Sequence, residues 1–293
     1  MATTSIAKLD QYGLLHAAGG DARAFLHAQL TSDIEHLGPG EARYAGWCSA
    51  KGRLLATFLV VPCSGGFLLQ LSGDLVPAVG KRLSMFILRS KVKLVDASAA
   101  WLQFGLWGAD AASRLDALGF KPPAGKLAVA ESQGAIVVGI EHDRFLLVAS
   151  PQMQDRIKVN ATADDWALAE VRAGRPLIVQ STQDQFVPQM VNLEHTGGVD
   201  FKKGCYPGQE IVARAQYRGA VKRRMYRLRG AALRPGQELY SDAAPGQASG
   251  TVVNAAGGES LAVLQISAVE AGSPIRVQAQ AAALEVLPLP YAT

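Results

Sequence analysis

The most chemically distinctive part of the sequence surrounds a single cysteine, Cys205. Two lysines, Lys202 and Lys203, precede it, and glycine and proline are frequent in residues 204–208 around it. Because glycine and proline favour backbone conformations that other residues avoid, this composition predicts a tight turn. A thiol beside ammonium groups and near the start of a helix is stabilised as its thiolate, so Cys205 is a candidate nucleophile or metal ligand. The alternative is a buried cysteine that only fills space in a tight connection.

Two aromatic residues outside this stretch could hold a flat ligand. Tyr12 lies at the start of the first predicted strand, and Trp166 lies within a predicted helix. Stacking on a bound ring would add about 0.5–1.5 kcal/mol to the stabilisation that burial alone provides. Both residues could instead be core anchors, because large aromatic side chains serve packing more often than binding.

Polar residues between positions 189 and 195 precede the cysteine stretch. The side-chain amides of Gln189 and Asn192 could form hydrogen bonds with a heterocycle. His195 could polarise the Cys205 thiol if the fold brings the two side chains together. A histidine without a demonstrated partner is more often a surface residue, so both interpretations of His195 stay open.

Positive charge is concentrated in one strip of the sequence. The formal net charge is only +4. Within residues 214–229, however, the basic side chains are Arg214, Arg218, Lys222, Arg223, Arg224, Arg227 and Arg229. Such a strip suits a polyanion, whether nucleic acid, phosphate or a chain of glutamates. A solvated strand face is the alternative interpretation.

Composition and missing motifs exclude several classes of protein. The cysteines at 48, 63 and 205 are widely spaced, which argues against a disulfide framework or a zinc site. An iron–sulfur cluster needs about four thiolates, so one chain should not hold a cluster alone. Neither a dinucleotide-binding fingerprint, a P-loop nor a common hydrolase motif is present. The longest apolar run, residues 54–61, is too short to cross a bilayer, and the N-terminus does not resemble a signal peptide. We therefore expect a cytoplasmic protein without a membrane partner. From the cysteine spacing we also expect no bound metal.

The elements that must position these residues begin with a regular order of strands and helices. Apolar spacing predicts strands over 12–18, 42–49, 53–61, 66–72 and 91–95, with helices over 22–30 and 75–88. Asp21 is the predicted N-cap of the first helix. This order predicts a ferredoxin-like α+β unit.

Similar elements follow in the second part of the chain, which predicts a second α+β half. The predicted elements are strands over 101–107, 126–131, 135–141 and 144–149 and helices over 109–118 and 164–174. Short strands with Gly/Pro turns beyond residue 219, over 249–254, 260–266, 275–279 and 284–286, predict an antiparallel β-barrel. We therefore predict an α+β protein with three parts: residues 1–99, residues 100–219 with the cysteine motif at their end, and residues 220–293.

Three segments together carry a resemblance to a known protein family: Phe186-Val187-Pro188-Gln189, Asn192-Leu193 and Lys202-Lys203-Gly204-Cys205-Tyr206-Pro207-Gly208-Gln209-Glu210. They resemble the signature of the YgfZ family. The resemblance covers nearly the whole chain, including Lys51-Gly52-Arg53 and the C-terminal Leu287-Pro288-Leu289-Pro290-Tyr291. It implies a folate-binding protein that supports iron–sulfur cluster assembly or repair and is linked to tRNA modification.

The wider group to which this family is similar includes the T-protein of the glycine cleavage system, an aminomethyltransferase. The resemblance implies two interleaved α+β domains and a C-terminal barrel around a central cavity for tetrahydrofolate or another folate. It also implies iron–sulfur client or assembly proteins as partners, with direct contact to tRNA left open. Tyr12 and Trp166 resemble the aromatic positions that hold folate in this family. We expect Gln189 and Asn192 to bind the heterocycle, Lys202 and Lys203 to attract the glutamate tail, and Cys205 to be the reactive thiol.

The sequence departs from the T-protein pattern where catalysis would need carboxylates. Ala56 and Thr57 occupy the positions of the T-protein's catalytic aspartate pair, and Glu170 and Arg172 reverse the order of its arginine and pterin-binding glutamate. Without those carboxylates, no obvious group manages a proton at the folate nitrogen. A folate-dependent one-carbon transferase or demethylase is therefore the alternative to an accessory protein.

Overall fold

Apolar runs form the first part of the chain into strands interrupted by two helices. The structure is a computed structural model that describes residues 4–132, 134–219, 221–243 and 246–292. In chain order the first elements are β1 (Ser5–Lys8), β2 (Tyr12–Ala18), α1 (Ala22–Gln29), β3 (Arg43–Cys48), β4 (Leu54–Cys63), β5 (Gly66–Ser72), α2 (Val76–Ser84) and β6 (Lys93–Asp96). β2 to β6 form one antiparallel sheet in the order β3-β4-β5-β2-β6.

The second part of the chain builds another sheet of the same size. Its elements are β7 (Leu102–Trp107), α3 (Ala111–Ala117), β8 (Val129–Ser132), β9 (Ala135–Glu141), β10 (Arg144–Ala149) and α4 (Ala163–Arg172). The sheet order is β1-β7-β10-β9-β8, so the N-terminal strand β1 pairs with β7 and not with its neighbour in sequence. The division of the chain at residues 99 and 219 stays a prediction. β1 belongs to the first predicted part by sequence but pairs with β7 of the second part.

The last part of the chain forms a third antiparallel sheet. Its elements are α5 (Gln209–Tyr217), β11 (Arg223–Arg229), β12 (Glu238–Ser241), β13 (Ala248–Ala256), β14 (Glu259–Gln265), α6 (Ile266–Glu270), β15 (Ile275–Arg276) and β16 (Glu285–Leu287). The strand order is β15-β12-β13-β14-β11-β16. The two edges approach at an isolated bridge, where Leu284 N donates to Ile275 O over 2.8 Å. The antiparallel sheet is confirmed, whereas a fully closed barrel stays a prediction.

Strand β4 explains how the first two sheets pack, because successive side chains of a strand point to opposite faces. Phe58 and Val60 are buried in the core cluster that includes the helices α1 and α2. Leu59 and Val61 are buried in a second cluster with Ile136 of the second sheet. The first sheet therefore packs against helices on one face and the second sheet on the other, which is why β4 is apolar along its length.

Most predicted elements are confirmed, and the exceptions have local causes. The helix predicted over 75–88 ends at Ser84, after which turns follow and Leu88 adopts a φ of 48°. The strand predicted over 275–279 is only two residues long. β1, β12 and α6 were not predicted, and β11 was predicted only as the alternative interpretation of the basic strip. Asp21 lies at the N-cap position of α1, but its carboxylate accepts a hydrogen bond from Lys91 N instead of capping the helix. Among the described helices, none combines the length and apolar character needed to cross a membrane.

Candidate functional site

A cavity of about 220 Å³ lies between the first two sheets and helix α4. Its lining includes apolar residues of β4 and β10 and a buried charged pair, Glu170 and Arg175. Asn254 and its neighbour on β13 bring the third sheet into the same wall. All three sheets therefore contribute to one cavity.

The aromatic residues in the lining of this cavity are Tyr12, Tyr44, Phe58 and Trp166. Tyr12 begins β2 and Tyr44 lies on β3, so both project from the first sheet. Burial, and next the nearby carboxylate of Glu170, raise the pKa of Tyr12 well above its ordinary value. Burial raises the pKa of Tyr44 to about 12. Both phenols therefore keep their protons at physiological pH and can donate hydrogen bonds to a ligand.

Trp166 is a core residue that also lines the cavity. Its side chain is only 3% exposed, and Trp107 packs edge-on against it with ring centroids 5.7 Å apart. Gly105 makes room for the indole, because a Cβ atom at this position would lie 2.2 Å from a ring carbon. The guanidinium of Arg144 lies 4.4 Å from the ring centroid, a cation–π arrangement. Trp166 is therefore a core anchor, and its place in the cavity wall is compatible with the other interpretation, contact with a flat ligand.

Helix α4 carries Trp166 and Glu170 to the cavity and has well-formed ends. Thr162 Oγ1 accepts a hydrogen bond from Asp165 N, and the Asp165 carboxylate accepts one from Thr162 N. This reciprocal capping box satisfies N–H groups that the first helical turn leaves without partners. Gly174 follows the helix with a φ of 64°, a conformation that glycine adopts without strain.

A network of two carboxylates and two guanidinium groups forms the charged side of the cavity. Arg175 Nε donates to Glu170 Oε2 over 2.8 Å and its Nη1 donates to Glu141 Oε1 over 2.6 Å. Arg144 donates to Glu170 as well. Burial alone would raise the pKa of Glu170, but Arg175 and Arg144 bring this pKa below its ordinary value. Glu170 is therefore ionised, and its charge is balanced within the network.

This network bears on the expectation that no obvious group manages a proton at the folate nitrogen. A carboxylate does line the cavity, because Glu170 occupies its wall, whereas Arg172 turns away and binds Glu259 of β14. However, Glu170 already accepts hydrogen bonds from two arginines. A carboxylate held in this way is a poor proton acceptor, because protonation would break its ion pairs.

Strand β4, to which the resemblance assigned the positions of the T-protein aspartates, contributes no carboxylate to this cavity. Thr57 lines the wall, and its hydroxyl accepts a hydrogen bond from Ile178 N over 3.0 Å. Ala56 is fully buried in the core cluster on the other face of the sheet. Neither residue can exchange a proton with a bound ligand.

Gln189 and Asn192 lie outside the cavity lining. Gln189 Nε2 donates to Val212 O of α5 over 2.7 Å, and Asn192 Nδ2 donates to Met225 O of β11 over 2.9 Å. Both side chains are fully buried. In this arrangement they hold the segment before the cysteine motif against α5 and β11, and a direct role in ligand binding stays a prediction.

The motif loop, residues 201–208, alternates between inward and outward side chains. Lys203 and Tyr206 are buried, whereas Lys202 and Cys205 are exposed. Lys203 Nζ donates to His27 O, near the end of α1, over 2.7 Å and to Gly204 O over 3.1 Å. The ammonium also lies 4.8 Å from the centroid of the Tyr206 ring. Lys203 therefore fastens the loop to α1, which sequence reasoning did not predict.

Burial also changes the protonation of Lys203. It lowers the pKa of this ammonium from 10.5 to about 8, although the nearby carboxylates of Asp33 and Asp200 act in the opposite direction. A measurable fraction of Lys203 is therefore neutral at mildly alkaline pH. Lys202, by contrast, is exposed on the outside of the motif loop.

Two glycines explain the spacing of the motif and of the Lys51-Gly52-Arg53 segment. Gly208 has a φ of 77°, and a Cβ atom there would lie 2.6 Å from Gly52 Cα. Gly52 in turn faces Ile211 of α5, where its own Cβ would come within 2.8 Å. The β3–β4 turn and the start of α5 therefore approach so closely that neither glycine can be replaced without displacement.

Cys205 is the exposed member of three free cysteines, since Cys48 is buried and Cys63 is partly buried. Burial raises the pKa of Cys48 to about 12 and that of Cys63 to about 11, so both stay protonated. Cys205 is not part of the cavity lining. Within the described ranges of the chain, no group of three His, Cys, Asp or Glu side chains is arranged to hold a metal ion.

The histidine predicted to meet Cys205 packs elsewhere. His195 stacks on Tyr291 with ring centroids 5.4 Å apart and an interplanar angle of 4°. The histidine beside the motif loop is His27, since a Cβ atom at Gly204 would lie 3.5 Å from its Nε2. His27 Nδ1 is 3.1 Å from Asp33 Oδ1. The α1 sequence carried no signal for this contact, because it depends on how α1 packs against the loop.

The basic strip predicted over 214–229 divides into two parts. On β11, Arg224 is paired with Glu194, Arg227 with Glu259 and Arg229 with Glu285. Arg223 at the start of β11 and Lys222 before it form no ion pair with any described residue. Arg214 on α5 and Arg218 just beyond its end are exposed and likewise form no ion pair with any described residue. The α5 part therefore carries exposed cations without a direct ion-pair partner among the described residues.

The three sheets and the cavity between them define the class of protein. Aminomethyltransferase T of the glycine cleavage system from Bartonella henselae superposes with a TM-score of 0.80 over 99% of this chain and 86% of that protein. The two sequences are 17% identical, so the likeness shows a shared T-protein fold and no more. No protein-family model matches the chain.

Sequence relatives identify the family within this class. A tRNA-modifying protein YgfZ from Klebsiella pneumoniae (strain 342) is 31% identical over 301 residues, which cover 97% of this chain and 91% of the relative. The YgfZ protein of Edwardsiella ictaluri (strain 93-146) is 32% identical over 99% of this chain and 93% of its own length. The chain belongs to the family of tRNA-modifying proteins called YgfZ.

Proposed function

We propose that this protein binds tetrahydrofolate or another folate in its central cavity and assists the assembly or repair of iron–sulfur proteins through Cys205. Iron–sulfur client or assembly proteins would be its partners, and its relatives are named tRNA-modifying proteins, which links it to tRNA modification. The two α+β halves and a C-terminal barrel would together enclose the folate site. The observation that carries the proposal is the aromatic, charge-balanced cavity between the sheets.

The character of the cavity suits the pterin ring of a folate. Tyr12, Tyr44 and Trp166 supply aromatic surface, and the two phenols supply protonated donors. The Glu170–Arg175 pair leaves little net charge, which favours a neutral heterocycle. The volume of about 220 Å³ is smaller than the roughly 300–1,000 Å³ typical of ligand pockets. The pterin ring would therefore lie inside, and the glutamate tail would extend outside.

Lys202 is the better candidate for contact with that negatively charged tail. Its side chain is exposed, whereas the ammonium of Lys203 already donates to two carbonyl oxygens. We therefore assign the tail to Lys202 and give Lys203 the task of holding the motif loop. Replacement of Lys202 by Gln should weaken the binding of polyglutamylated folates more than the binding of the monoglutamate.

Cys205 is proposed as the group that acts on iron–sulfur proteins. Its thiol is exposed while the other two cysteines are at least partly buried, and Lys203 and Tyr206 fix the loop on either side of it. An exposed thiol on an anchored loop can reach a partner protein, whereas a thiol inside the cavity could not. The Cys205→Ala variant should fail to restore cluster-dependent enzymes in a deletion strain and should keep the parental folate affinity.

A one-carbon transferase is the alternative function, and the T-protein fold is what favours it. The cavity offers Thr57 where the T-protein pattern has a catalytic carboxylate, and Glu170 is held by two arginines. We therefore expect no turnover of aminomethyl or N-methyl donors with tetrahydrofolate. Sustained product formation by the purified protein would favour the transferase and contradict the accessory role.

Calorimetric titration with tetrahydrofolate tests the folate site directly. The parent should bind one equivalent, and Tyr12→Leu should weaken binding because an aromatic wall and a hydroxyl donor are lost. Trp166→Phe is preferable to alanine, because truncation of a buried Trp costs about 3–5 kcal/mol of stability and could unfold the protein. Tyr217→Leu is the matched control, since Tyr217 is exposed on α5, outside the cavity lining. Absence of binding by the folded parent would overturn the folate proposal.

A further inference from the structure

Helix α5 presents an unusual outer face. Ile211 is 43% exposed and Tyr217 is 68% exposed, although both are large apolar or aromatic residues. Arg214 lies three residues after Ile211 and three before Tyr217, so it shares their side of the helix. Arg218, the residue just beyond α5, lines the same groove as Arg214 and Tyr217. We call these four residues the α5 face. Exposed aromatic and basic side chains in alternation are typical of surfaces that bind single-stranded nucleic acid.

The α5 face continues onto two neighbouring segments. Gly52 of the β3–β4 turn contacts Ile211, so Lys51 lies beside one end of the face. Phe201 of the motif loop packs edge-on against Tyr217 with ring centroids 6.1 Å apart, so Lys202 lies beside the other end. Lys51 and Lys202 are both exposed. The surface is therefore contiguous and spans three separate segments of the chain.

The net charge of this surface is positive, although the Glu210 carboxylate lines the same groove as Arg214, Tyr217 and Arg218. In the described part of the chain, the salt bridges include none to Lys51, Lys202, Arg214 or Arg218, and Glu210 is the acidic residue of α5. Three arginines of β11, by contrast, are bound to Glu194, Glu259 and Glu285. Free cations around an exposed tyrosine match phosphates around an unstacked base.

We propose that the α5 face, together with Lys51 and Lys202, binds an unpaired region of RNA. The cations contact the phosphate backbone, and Tyr217 stacks on a base that is not paired. This inference goes beyond the proposed folate site and assigns direct RNA contact to a surface of this chain. Because relatives are named tRNA-modifying proteins, tRNA is the RNA to test.

Salt-dependent binding of unmodified bulk tRNA, measured by fluorescence anisotropy, tests the proposal. The parent should bind, and the logarithm of its affinity should fall linearly with the logarithm of salt concentration. Removal of three phosphate contacts in K51Q/R214Q/R218Q should reduce the magnitude of this slope by about 2. The matched control K81Q/R89Q/K91Q removes the same charge from exposed residues in and after α2 and should leave the slope unchanged.

A substitution of Tyr217 tests separately whether this side chain stacks on an RNA base. Tyr217→Leu should weaken tRNA binding about tenfold, since loss of base stacking typically costs about 1–3 kcal/mol, and should leave the salt slope intact. Absence of binding by the parent, or an equal loss in the α2 control, would overturn the proposal. All these variants should keep the parental affinity for tetrahydrofolate. A failed folate titration and a failed RNA titration are therefore distinguishable.

Discussion

At the scale of single residues, Glu170 shows how the cavity combines a charge with an apolar surrounding. Its carboxylate lies among aromatic side chains and is stabilised only because Arg175 and Arg144 donate to it. A buried ion pair of this kind adds little stability relative to an apolar substitute, but removal of one partner leaves an uncompensated charge. The network therefore fixes the positions of the charged side chains in the cavity wall but contributes little to the free energy of unfolding.

The variant Glu170→Gln should lower the free energy of unfolding by about 3–5 kcal/mol, because two buried guanidinium groups are then left with the single, partly exposed carboxylate of Glu141. Glu141→Gln is the control, since the Glu141 side chain is 38% exposed and water can replace part of its contacts. Urea unfolding at pH 7 measures both. An equal effect of the two substitutions would contradict the importance of burial at Glu170.

The same carboxylate predicts acid sensitivity. Arg175 and Arg144 lower the pKa of Glu170 despite the opposing effect of burial, so its folded pKa lies below the unfolded one. Its contribution to stability is therefore fully present above the unfolded pKa and is lost as the pH falls through the folded pKa. The stability difference between the parent and Glu170→Gln should shrink as the pH is lowered from about 6 towards that range.

Lys203 should show the opposite kind of linkage at alkaline pH. Burial lowers its pKa to about 8 in the folded state from an ordinary value of 10.5. The unfolded chain then binds more protons between these values, so the contribution of Lys203 to stability increases as the pH rises. In urea unfolding the parent should gain stability relative to Lys203→Met between about pH 7 and pH 9.5. A constant difference across this range would show that Lys203 ionises normally in the folded protein.

At the scale of elements, the start of α5 depends on how closely it approaches the β3–β4 turn. Gly208 permits this approach because it lacks a Cβ atom and adopts a positive φ of 77°. The segment before it, anchored by Lys203 and Tyr206, determines where Cys205 is exposed. Helix and turn therefore act together on the motif loop.

Gly208→Ala should destabilise the protein by more than the backbone conformation alone would require. Gly197→Ala is a close control, because Gly197 has a φ of 79° but a Cβ atom added to it would meet no other atom within 4 Å. Both variants force alanine into a left-handed conformation at a cost of about 1 kcal/mol or more, but only Gly208→Ala also displaces Gly52. Thermal unfolding and the rate of Cys205 alkylation should both change more in Gly208→Ala. Equal changes in the two variants would argue against close packing at this site.

At the scale of the whole molecule, the C-terminal segment returns to the cavity wall. Tyr291 donates its hydroxyl hydrogen to Gly174 O over 2.7 Å, at the end of α4, and stacks on His195. Gly174 accommodates the ring, since a Cβ atom there would lie 2.6 Å from the Tyr291 hydroxyl oxygen. The last residues of the chain thereby fix the helix that carries Trp166 and Glu170.

Tyr291→Phe should lower the free energy of unfolding by about 1 kcal/mol, the typical net value of one buried hydrogen bond. Tyr217→Phe is the control, because the exposed Tyr217 hydroxyl has no such partner among the described residues. Chemical denaturation of both variants measures the difference. Equal stability of Tyr291→Phe and the parent would mean that water replaces the lost bond.

The sequence by itself determined the order of most strands and helices, the family and the special character of Cys205, because these depend on local spacing and on a contiguous motif. It could not distinguish Lys202 from Lys203, since one residue of displacement decides which ammonium faces α1 and which faces water. Nor could it place Glu170 against Arg175 and Arg144, separate the paired arginines of β11 from the free ones of α5, or bring Lys51 beside Ile211. Those contacts join residues far apart in the chain, so only the packing of three sheets and their helices decided them.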